Sequence, residues 1–345
     1  MKQVVGIGAK ALAQLDAENR KSAREVFEKL FPEDYSKFKA ARTAEEQWAI
    51  HDAMLTRERA KLAAVLGGGD GGGALLFSLT PDNATQFIEA NGGEIETVLQ
   101  TTVQSLANSV PNLTTPDQCA AAFFTSGVAA MGIAGIGAFN AALGSGVVAS
   151  VAMVAGIEAL TLAGAVGIVV LVIVAIFIPI LFFMLKPATT FICVINQTQG
   201  TLYYDGDYEV SGQVPHKVES IPGAFVLPGV PPSYSAGIFT TSKRDNALVG
   251  TQWGFNLTNQ SPKTSTAVDF GYGAECPLTA IYVDNNCYTG FNMSADALAD
   301  ATDNANVQNS TASYPATNPT HTSVINCNSG GGSHAYYIAL AQQTG

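Results

Sequence analysis

One stretch of the sequence, from Ala120 to Leu185, contains 66 residues and only one ionisable side chain, Glu158. A run of this length is about three times the ~20 residues that an α-helix needs to cross a bilayer. Such long apolar runs are rare in domains that fold entirely in water. The chain therefore either resides in a membrane or carries a membrane-entering element that is folded away until it is needed.

The apolar run is not uniform along its length. Segment 120–143 contains 9 Ala and 4 Gly among 24 residues, whereas segment 162–185 contains only 5 Ala or Gly in 24 and is strongly hydrophobic. As a helix, each segment would extend roughly 36 Å, enough for a hydrocarbon core of about 30 Å. The pattern predicts two membrane-competent helices in a hairpin, with a bend near residues 144–146 or around residues 158–167.

The side chains expected to enter the bilayer belong to these two segments. They are Ala120, Phe123, Phe124, Met131, Ile133, Ile136, Phe139, Leu162, Val169, Leu171, Ile173, Phe177, Leu181, Phe182, Phe183 and Leu185. A charged carboxylate inside a bilayer is costly and usually functional, so Glu158 is predicted to be a switch or pore-lining residue. In a soluble fold the same side chain would simply face water in a connecting loop. Gly67, Gly73, Gly144 and Gly146 are predicted to be hinges at which the helical part opens.

The region before the apolar run is dominated by helical periodicity. Apolar residues at helical spacing predict a helix over 8–30 that ends at Pro32. Thr43 and Glu46 have the spacing of a capping box that opens a second helix, reaching about residue 66. The glycine run at 67–73 then predicts a flexible hinge, and a further helix is expected over 94–110.

From Pro187 onward, short β-rich runs alternate with Gly, Pro and Asn, which predicts an antiparallel sandwich. The predicted strands are 190–194, 201–208, 223–226, 237–241, 246–257, 265–271, 278–283 and 335–340. Residues 295–334 are rich in Asn, Ser, Thr and Ala and are predicted to form a long loop.

The predicted fold class is α+β, an N-terminal helical bundle enclosing a long hydrophobic helical hairpin, followed by an antiparallel β-sandwich. The predicted domains are a charged helical segment (1–66), the hinge (67–73), a helical domain (74–186) and the sandwich (187–345).

Charge and motif content exclude several functional classes. Residues 1–66 hold 12 of the 17 Lys and Arg and 10 of the 28 Asp and Glu. Residues 67–345 therefore hold 5 basic and 18 acidic residues, which gives this part of the chain a net charge of −13. An acidic body of this kind argues against binding to nucleic acid, which needs basic patches. The sequence contains no H-E-x-x-H, G-x-S-x-G or C-x-x-C pattern, so no catalytic residue, metal site or cofactor is expected.

The cysteines and the aromatic residues of the C-terminal part each leave two alternatives open. Four of the five cysteines lie in this part, and they form either two disulfides or buried free thiols. The five are Cys119, Cys193, Cys276, Cys287 and Cys327. Most of its aromatic residues are expected in the core or in cross-strand pairs, while an outward-facing minority would form a patch for lipid head groups. These aromatic residues are Tyr203, Tyr204, Tyr208, Trp253, Phe255, Tyr272, Tyr282 and Tyr288.

Two resemblances to known families follow from these features. The apolar hairpin between amphipathic helices resembles the inserting element of α-helical pore-forming toxins, including the colicin channel domains. The stretches 194–198, 214–218 and 236–239 are similar to the β-sandwich cytolysins, which include the actinoporins and related fungal lectins. This resemblance implies a sandwich that binds lipid head groups through a tyrosine-rich patch. The chain departs from that pattern because some 186 residues replace the short N-terminal inserting helix, so no specific lipid site is carried over.

These observations predict a pore-forming toxin whose β domain binds a membrane lipid or a surface receptor. The hairpin would then insert as part of a homo-oligomeric pore. No secretory signal peptide is recognisable at the N-terminus. In this interpretation the protein is therefore exported without a leader or otherwise released before it reaches the target membrane. One alternative is a constitutive membrane protein, such as a cell-surface or viral spike, with two or three spans. Another is a two-domain structural or adhesion protein in which the apolar run is a buried core helix pair.

Overall fold

A computed structural model describes part of the chain. The described residues are 28, 31–43, 46–47, 49–50, 53, 57, 76–79, 81–98, 128–131, 188–221, 223–224, 234–244, 247–278, 284–303, 305–314, 319–329 and 334–344. The four hinge glycines, Glu158 and every predicted membrane-inserting residue except Met131 lie outside the described residues. The hairpin, the hinges and the helical bundle around them therefore stay predictions.

Helix α1 (Pro32–Ala40) begins where the first predicted helix was expected to end. Pro32 occupies the first turn of α1, because a proline there loses no intrahelical hydrogen bond and its fixed φ suits a helix start. The prediction that Pro32 only terminates a helix was therefore incomplete. Arg57 forms a two-pronged ion pair with Asp34 of α1, with the shorter Nη2–Oδ2 distance at 2.7 Å.

The predicted capping box is confirmed by its hydrogen bonds. The backbone N–H of Glu46 donates to Thr43 Oγ1 at 3.2 Å, and the backbone N–H of Thr43 donates to Glu46 Oε2 at 3.3 Å. Each side chain thus satisfies a backbone donor that the first turn leaves unpaired. Further along the chain, helix α2 (Pro81–Glu89) was not predicted, whereas the helix expected over 94–110 is confirmed across its described residues, 94–98.

Two short strands that precede residue 187 pair with each other and join the sandwich. Strand β1 (Leu76–Leu79) pairs antiparallel with β2 (Val128–Met131), with Leu76 opposite Met131. The helix predicted over 120–143 is therefore wrong at residues 128–131. An Ala- and Gly-rich segment has no strong hydrophobic helical face, so backbone pairing at a sheet edge overrides its local preference. The sheet includes residues from both sides of the predicted 186/187 boundary, and the domain limits themselves stay a prediction.

The remaining elements build a two-sheet sandwich that carries one helix. They are β3 (Thr189–Gln197), β4 (Leu202–Ser211), β5 (Gln213–His216), β6 (Ser220–Ile221), β7 (Tyr234–Ser242), β8 (Thr251–Thr258), β9 (Asp269–Cys276), β10 (Asn286–Phe291), α3 (Ala295–Asp300), β11 (Asn309–Tyr314), β12 (Thr320–Cys327) and β13 (His334–Thr344). The first sheet has the order β11-β12-β13-β3-β7-β1-β2, with β5 also paired to β7. The second has the order β10-β9-β8-β4-β6.

The predicted sandwich is confirmed, with two corrections to its details. It is not wholly antiparallel, because β13 runs parallel to β3, with Tyr336 opposite Phe191. The long loop predicted over 295–334 is wrong, because that range contains α3, β11 and β12. Strand β11 reads Asn-Ser-Thr-Ala-Ser-Tyr and lies at a sheet edge, so it lacks the apolar alternation by which strands are recognised.

Two of the predicted strand positions also differ from the structure. Residues 223–224 lie outside any strand, since the chain forms β5 and β6 just before them. Leu278, the first residue of the strand expected over 278–283, is likewise outside a strand. The other predicted runs overlap β3, β4, β7, β8, β9 and β13.

The core between the sheets is built on stacked aromatic rings. Phe239 of the first sheet lies 4.8 Å from Phe255 of the second, measured between ring centroids, and Trp253 stacks on Phe255 at 4.2 Å. All three side chains are fully buried. Each ring stabilises the fold by roughly 1.5–3 kcal/mol through apolar burial.

The outer face of the second sheet is covered by α3. The glycines of β8 and β9 allow this close approach, since an added Cβ at Gly254 would lie 2.1 Å from the carbonyl oxygen of Ala295. A Cβ at Gly273 would lie 2.2 Å from the carbonyl oxygen of Leu298.

One end of the sandwich joins the sequence of the apolar run. Leu185, the last residue of that run, precedes Ala188 by three positions, and the backbone N–H of Lys243 donates to the carbonyl of Ala188 at 3.1 Å. Thr189 is opposite Ser242 in the sheet, so β3 begins where β7 ends. We call this end, with residues 243–244, 247–250, 277–278, 284–285 and 328–329, the entry end. Residues 198–201, 259–268 and 319 form the far end.

Candidate membrane-binding site

Exposed apolar side chains concentrate at the entry end. Leu248 is 90% exposed and Val249 is 55% exposed, both in the connection between β7 and β8. Val210, near the end of β4, is 46% exposed, and Val307, before β11, is 37% exposed. Among the described residues, Tyr208 on β4 is the one other large hydrophobic that is exposed. Single exposed apolar residues are ordinary on a protein surface, but a cluster at one end marks an interaction surface.

Hydrogen bonds from two basic residues shape the loop that carries Leu248. Lys243 Nζ donates to the carbonyl of Ala247 at 2.8 Å. Arg244 Nε donates to the carbonyl of Gly212 at 2.6 Å, and Arg244 Nη2 lies 3.4 Å from Glu209 Oε2. These bonds satisfy backbone carbonyls of the loop and tie it to the β4–β5 turn. The exposure of Leu248 thus belongs to a loop with defined polar anchors.

The exposed loop borders a cleft of about 520 Å³. Its apolar lining comes from the loop, from β4 and from the chain after β9. These apolar residues are Val210, Leu248, Val249, Pro277 and Leu278. The polar lining comes from strand ends and includes Ser211, Thr251, Gln252 and Glu275. A concave site with apolar walls and a few polar groups is typical of a ligand-binding cleft.

Glu275 supplies the one carboxyl group among the residues that line the cleft. Its Oε2 accepts a hydrogen bond from Asn286 Nδ2 at 2.9 Å, and no Lys, Arg or His pairs with it in the described part of the chain. Burial raises the pKa of the Glu275 carboxyl above its ordinary value; the Asn286 hydrogen bond opposes this, and the negative charge of Asp303 adds to it. An ionised carboxylate is therefore disfavoured in this cleft relative to one in water.

The few basic residues that follow residue 66 are unevenly placed. Lys243 and Arg244 lie at the entry end, and Lys186 precedes Ala188 by two positions in the sequence. By contrast, Lys263 lies at the far end, 2.6 Å from Asp269 Oδ2, while Lys217 pairs with Asp207. Basic side chains beside exposed apolar residues are typical of surfaces that contact lipid head groups.

The aromatic residues singled out in the sequence do not form an exposed cluster in the described structure. Trp253, Phe255 and Tyr272 are buried in the core, and Tyr203, Tyr204 and Tyr288 are partly buried. Tyr208 is the one of this set that is exposed, and Tyr282 lies outside the described residues. Most of them are thus core or cross-strand residues.

The alternative left open for the cysteines is decided for four of them. Cys193, Cys276, Cys287 and Cys327 are buried free thiols, and Cys119 lies outside the described residues. Burial raises the pKa of the Cys193 thiol to about 12. The described residues also contain no group of His, Cys, Asp and Glu side chains suited to holding a metal ion.

Sequence reasoning missed the residues that make this site. Leu248 and Val249 fall within the strand predicted over 246–257, whereas β8 begins only at Thr251. The glycine at position 250 was the available signal, because it separates the two apolar residues from the strand. Glu275 carried no signal, since its burial depends on residues far away in the sequence.

Helices in the described ranges are also short or polar. None of them combines the length with the apolar character that a membrane span requires.

Comparison with known proteins finds similarity at the level of structure alone. No family model matches the chain, and no curated protein matches it in sequence. One similar structure is the lipid-binding protein Nakanori, at 17% identity and a TM-score of 0.35, covering 45% of this chain and 71% of that one. RahU, in complex with Tris, has 13% identity and a TM-score of 0.26, covering 47% and 98%. The Xerocomus chrysenteron lectin XCL has 7% identity and a TM-score of 0.25, covering 46% and 100%.

These neighbours correspond to the C-terminal β region. They include a lipid-binding protein and a fungal lectin, and none of the three is described as an α-helical pore-forming toxin. The resemblance of residues 1–186 to α-helical toxins stays a prediction.

Proposed function

We propose that this protein is a pore-forming protein that docks on a target membrane through the entry end of its sandwich. The apolar run 120–185 then enters the bilayer as a hairpin within a homo-oligomer. One observation carries the proposal. Leu248 and Val249 are exposed at the entry end of the sandwich, and Ala188 lies at the same end. The apolar run ends at Leu185, only three residues before Ala188 in the sequence. A sandwich that rests on this end brings the end of the run to the lipid surface.

The magnitudes favour a process with two steps. Burying a Leu or Val side chain contributes roughly 1.5–3 kcal/mol, so partial burial of Val210, Leu248 and Val249 contributes about 4 kcal/mol. An interaction of this size corresponds to a dissociation constant of about 1 mM, which is weak and reversible. Segments 120–143 and 162–185 together hold 48 residues, and their insertion would bury far more apolar area. Docking would therefore select the surface, and insertion would make attachment durable.

The first test is whether the chain behaves as a soluble protein that attacks membranes. The full chain is expressed without detergent and mixed with vesicles that contain a self-quenched dye. Solubility together with vesicle flotation and dye release is the expected result. Extraction only with detergent would favour the constitutive membrane protein instead. A soluble chain that floats with vesicles but releases no dye would overturn pore formation, and one that does not float would overturn docking as well.

The second test asks whether the apolar run must leave its resting place. Ser78 and Ala129 are opposite each other in the β1–β2 pair, so Ser78→Cys with Ala129→Cys provides a reversible tether between these strands. We expect the tethered protein to bind vesicles without releasing dye, and reduction to restore release. Thr311→Cys with Val324→Cys, opposite each other in β11 and β12, is the matched control tether and leaves release unchanged. Unaltered release from the β1–β2 tether would contradict opening of this strand pair.

A further inference from the structure

Glu275 occupies the cleft that opens at the proposed docking surface. The cleft contains both the exposed Leu248 and the half-buried Glu275. When the entry end rests on a bilayer, lipid replaces the water at the mouth of this cleft. A carboxylate without a cationic partner is strongly disfavoured in such surroundings unless it takes up a proton.

Among the described residues, none around Glu275 provides a compensating positive charge. Gln252 of β8 and Asn286 of β10 are its neighbours across the sheet, and only Asn286 hydrogen-bonds to its carboxylate. Asp303, which follows α3, adds a negative charge, and the hydroxyl of Tyr337 on β13 donates to the backbone carbonyl of Glu275 at 2.7 Å. The thiols of β9, β10 and β12 are buried and carry no disulfide. No described element thus supplies a cation to the carboxylate.

We propose that docking of the entry end is coupled to the uptake of one proton by Glu275, so that acidification gates membrane binding. The inference rests on the proposed function, because it assigns a regulation to the same docking site. The pKa of the Glu275 carboxyl is already raised in the free protein, so the site disfavours the charged form even before lipid arrives. Docking is expected to raise this pKa further.

Proton linkage sets the size of the effect. If the docked state holds one more proton than the free state, the binding constant changes by up to about tenfold per pH unit. The dependence spans the interval between the pKa of Glu275 in the free protein and its higher pKa in the docked protein. Binding strengthens as the pH falls through that interval and levels off on either side of it.

The test measures flotation of the full chain with phosphatidylcholine vesicles, which carry no net charge, between pH 4.5 and pH 8. We expect wild-type binding to rise by up to about tenfold per unit of acidification over part of this range. Glu275→Gln, which is neutral at every pH, is expected to bind at pH 8 as strongly as the wild type does in acid, with a flat profile. Glu275→Asp retains a carboxyl and is expected to retain the pH dependence.

The controls separate this gate from the docking site itself. Glu219→Gln removes an exposed carboxyl away from the cleft and is expected to leave the wild-type profile unchanged. A Glu275→Gln profile that still rises as in the wild type would overturn the gate, as would wild-type binding that is equal at every pH. Binding that does not respond to Leu248→Ala at any pH would instead overturn the docking site. A urea unfolding curve for each variant confirms that the comparison is between folded proteins.

Discussion

The substitution Leu248→Ala separates a docking residue from a structural one. Leu248 is 90% exposed, so the free protein gains almost nothing from burying it. Truncation to Ala removes the equivalent of three carbon groups at about 0.8 kcal/mol each, of which about 2 kcal/mol is available when the residue enters the lipid surface. That energy corresponds to a roughly 30-fold weaker partition into vesicles. The free energy of unfolding should change by less than about 0.5 kcal/mol, because the side chain contributes little to the core.

The assay is vesicle partitioning at increasing lipid concentration, paired with urea unfolding of the same preparations. Leu248→Met keeps a similar apolar volume and is the matched control, expected to bind within about twofold of the wild type. A Leu248→Ala variant that binds as well as this control would refute the reasoning. A loss of binding accompanied by a large loss of stability would also refute it, because Leu248 would then support the fold rather than the contact with lipid.

Three further predictions concern the fold and its titratable groups. Gly254→Ala should destabilise the protein by about 1–3 kcal/mol in urea unfolding, because its Cβ would collide with the α3 backbone at Ala295, whereas Gly200→Ala has open space and should be nearly neutral. The thiol of Cys193 should stay unlabelled by a thiol reagent at pH 8 until the protein unfolds, because it is buried and has a pKa of about 12. Rapid labelling of the native protein would contradict this burial. Glu275→Gln should raise the free energy of unfolding at pH 8 but not at pH 3. The raised pKa of Glu275 means that its ionised form destabilises the fold, and the carboxyl is ionised only at the higher pH. Equal effects of the substitution at both pH values would argue against an unfavourable charge at Glu275.

Local signals in the sequence predicted local structure well. The hydrogen bonds of the Thr43–Glu46 capping box link residues three positions apart, so the pattern contains all that is needed to predict them. The β-rich runs after Pro187 predicted the sandwich because alternation and turn residues act within single strands. The polar edge strand β11 was missed because it lacks apolar alternation, although its partner β12 follows it directly in the chain. The short strand β2 was missed because its partner β1 is distant in the sequence.

The sequence by itself determined that this chain carries a 66-residue apolar run with a single ionisable side chain, beside an acidic, β-rich part. These are properties of composition and order, and no fold can remove them. Only the tertiary structure decided that Leu248 is exposed, that Glu275 lies half-buried with no cation from the described residues, and that Ala188 meets Lys243 at the same end. Exposure and pKa depend on which distant residues exclude water from a group, and that is decided when strands far apart in the chain pack together.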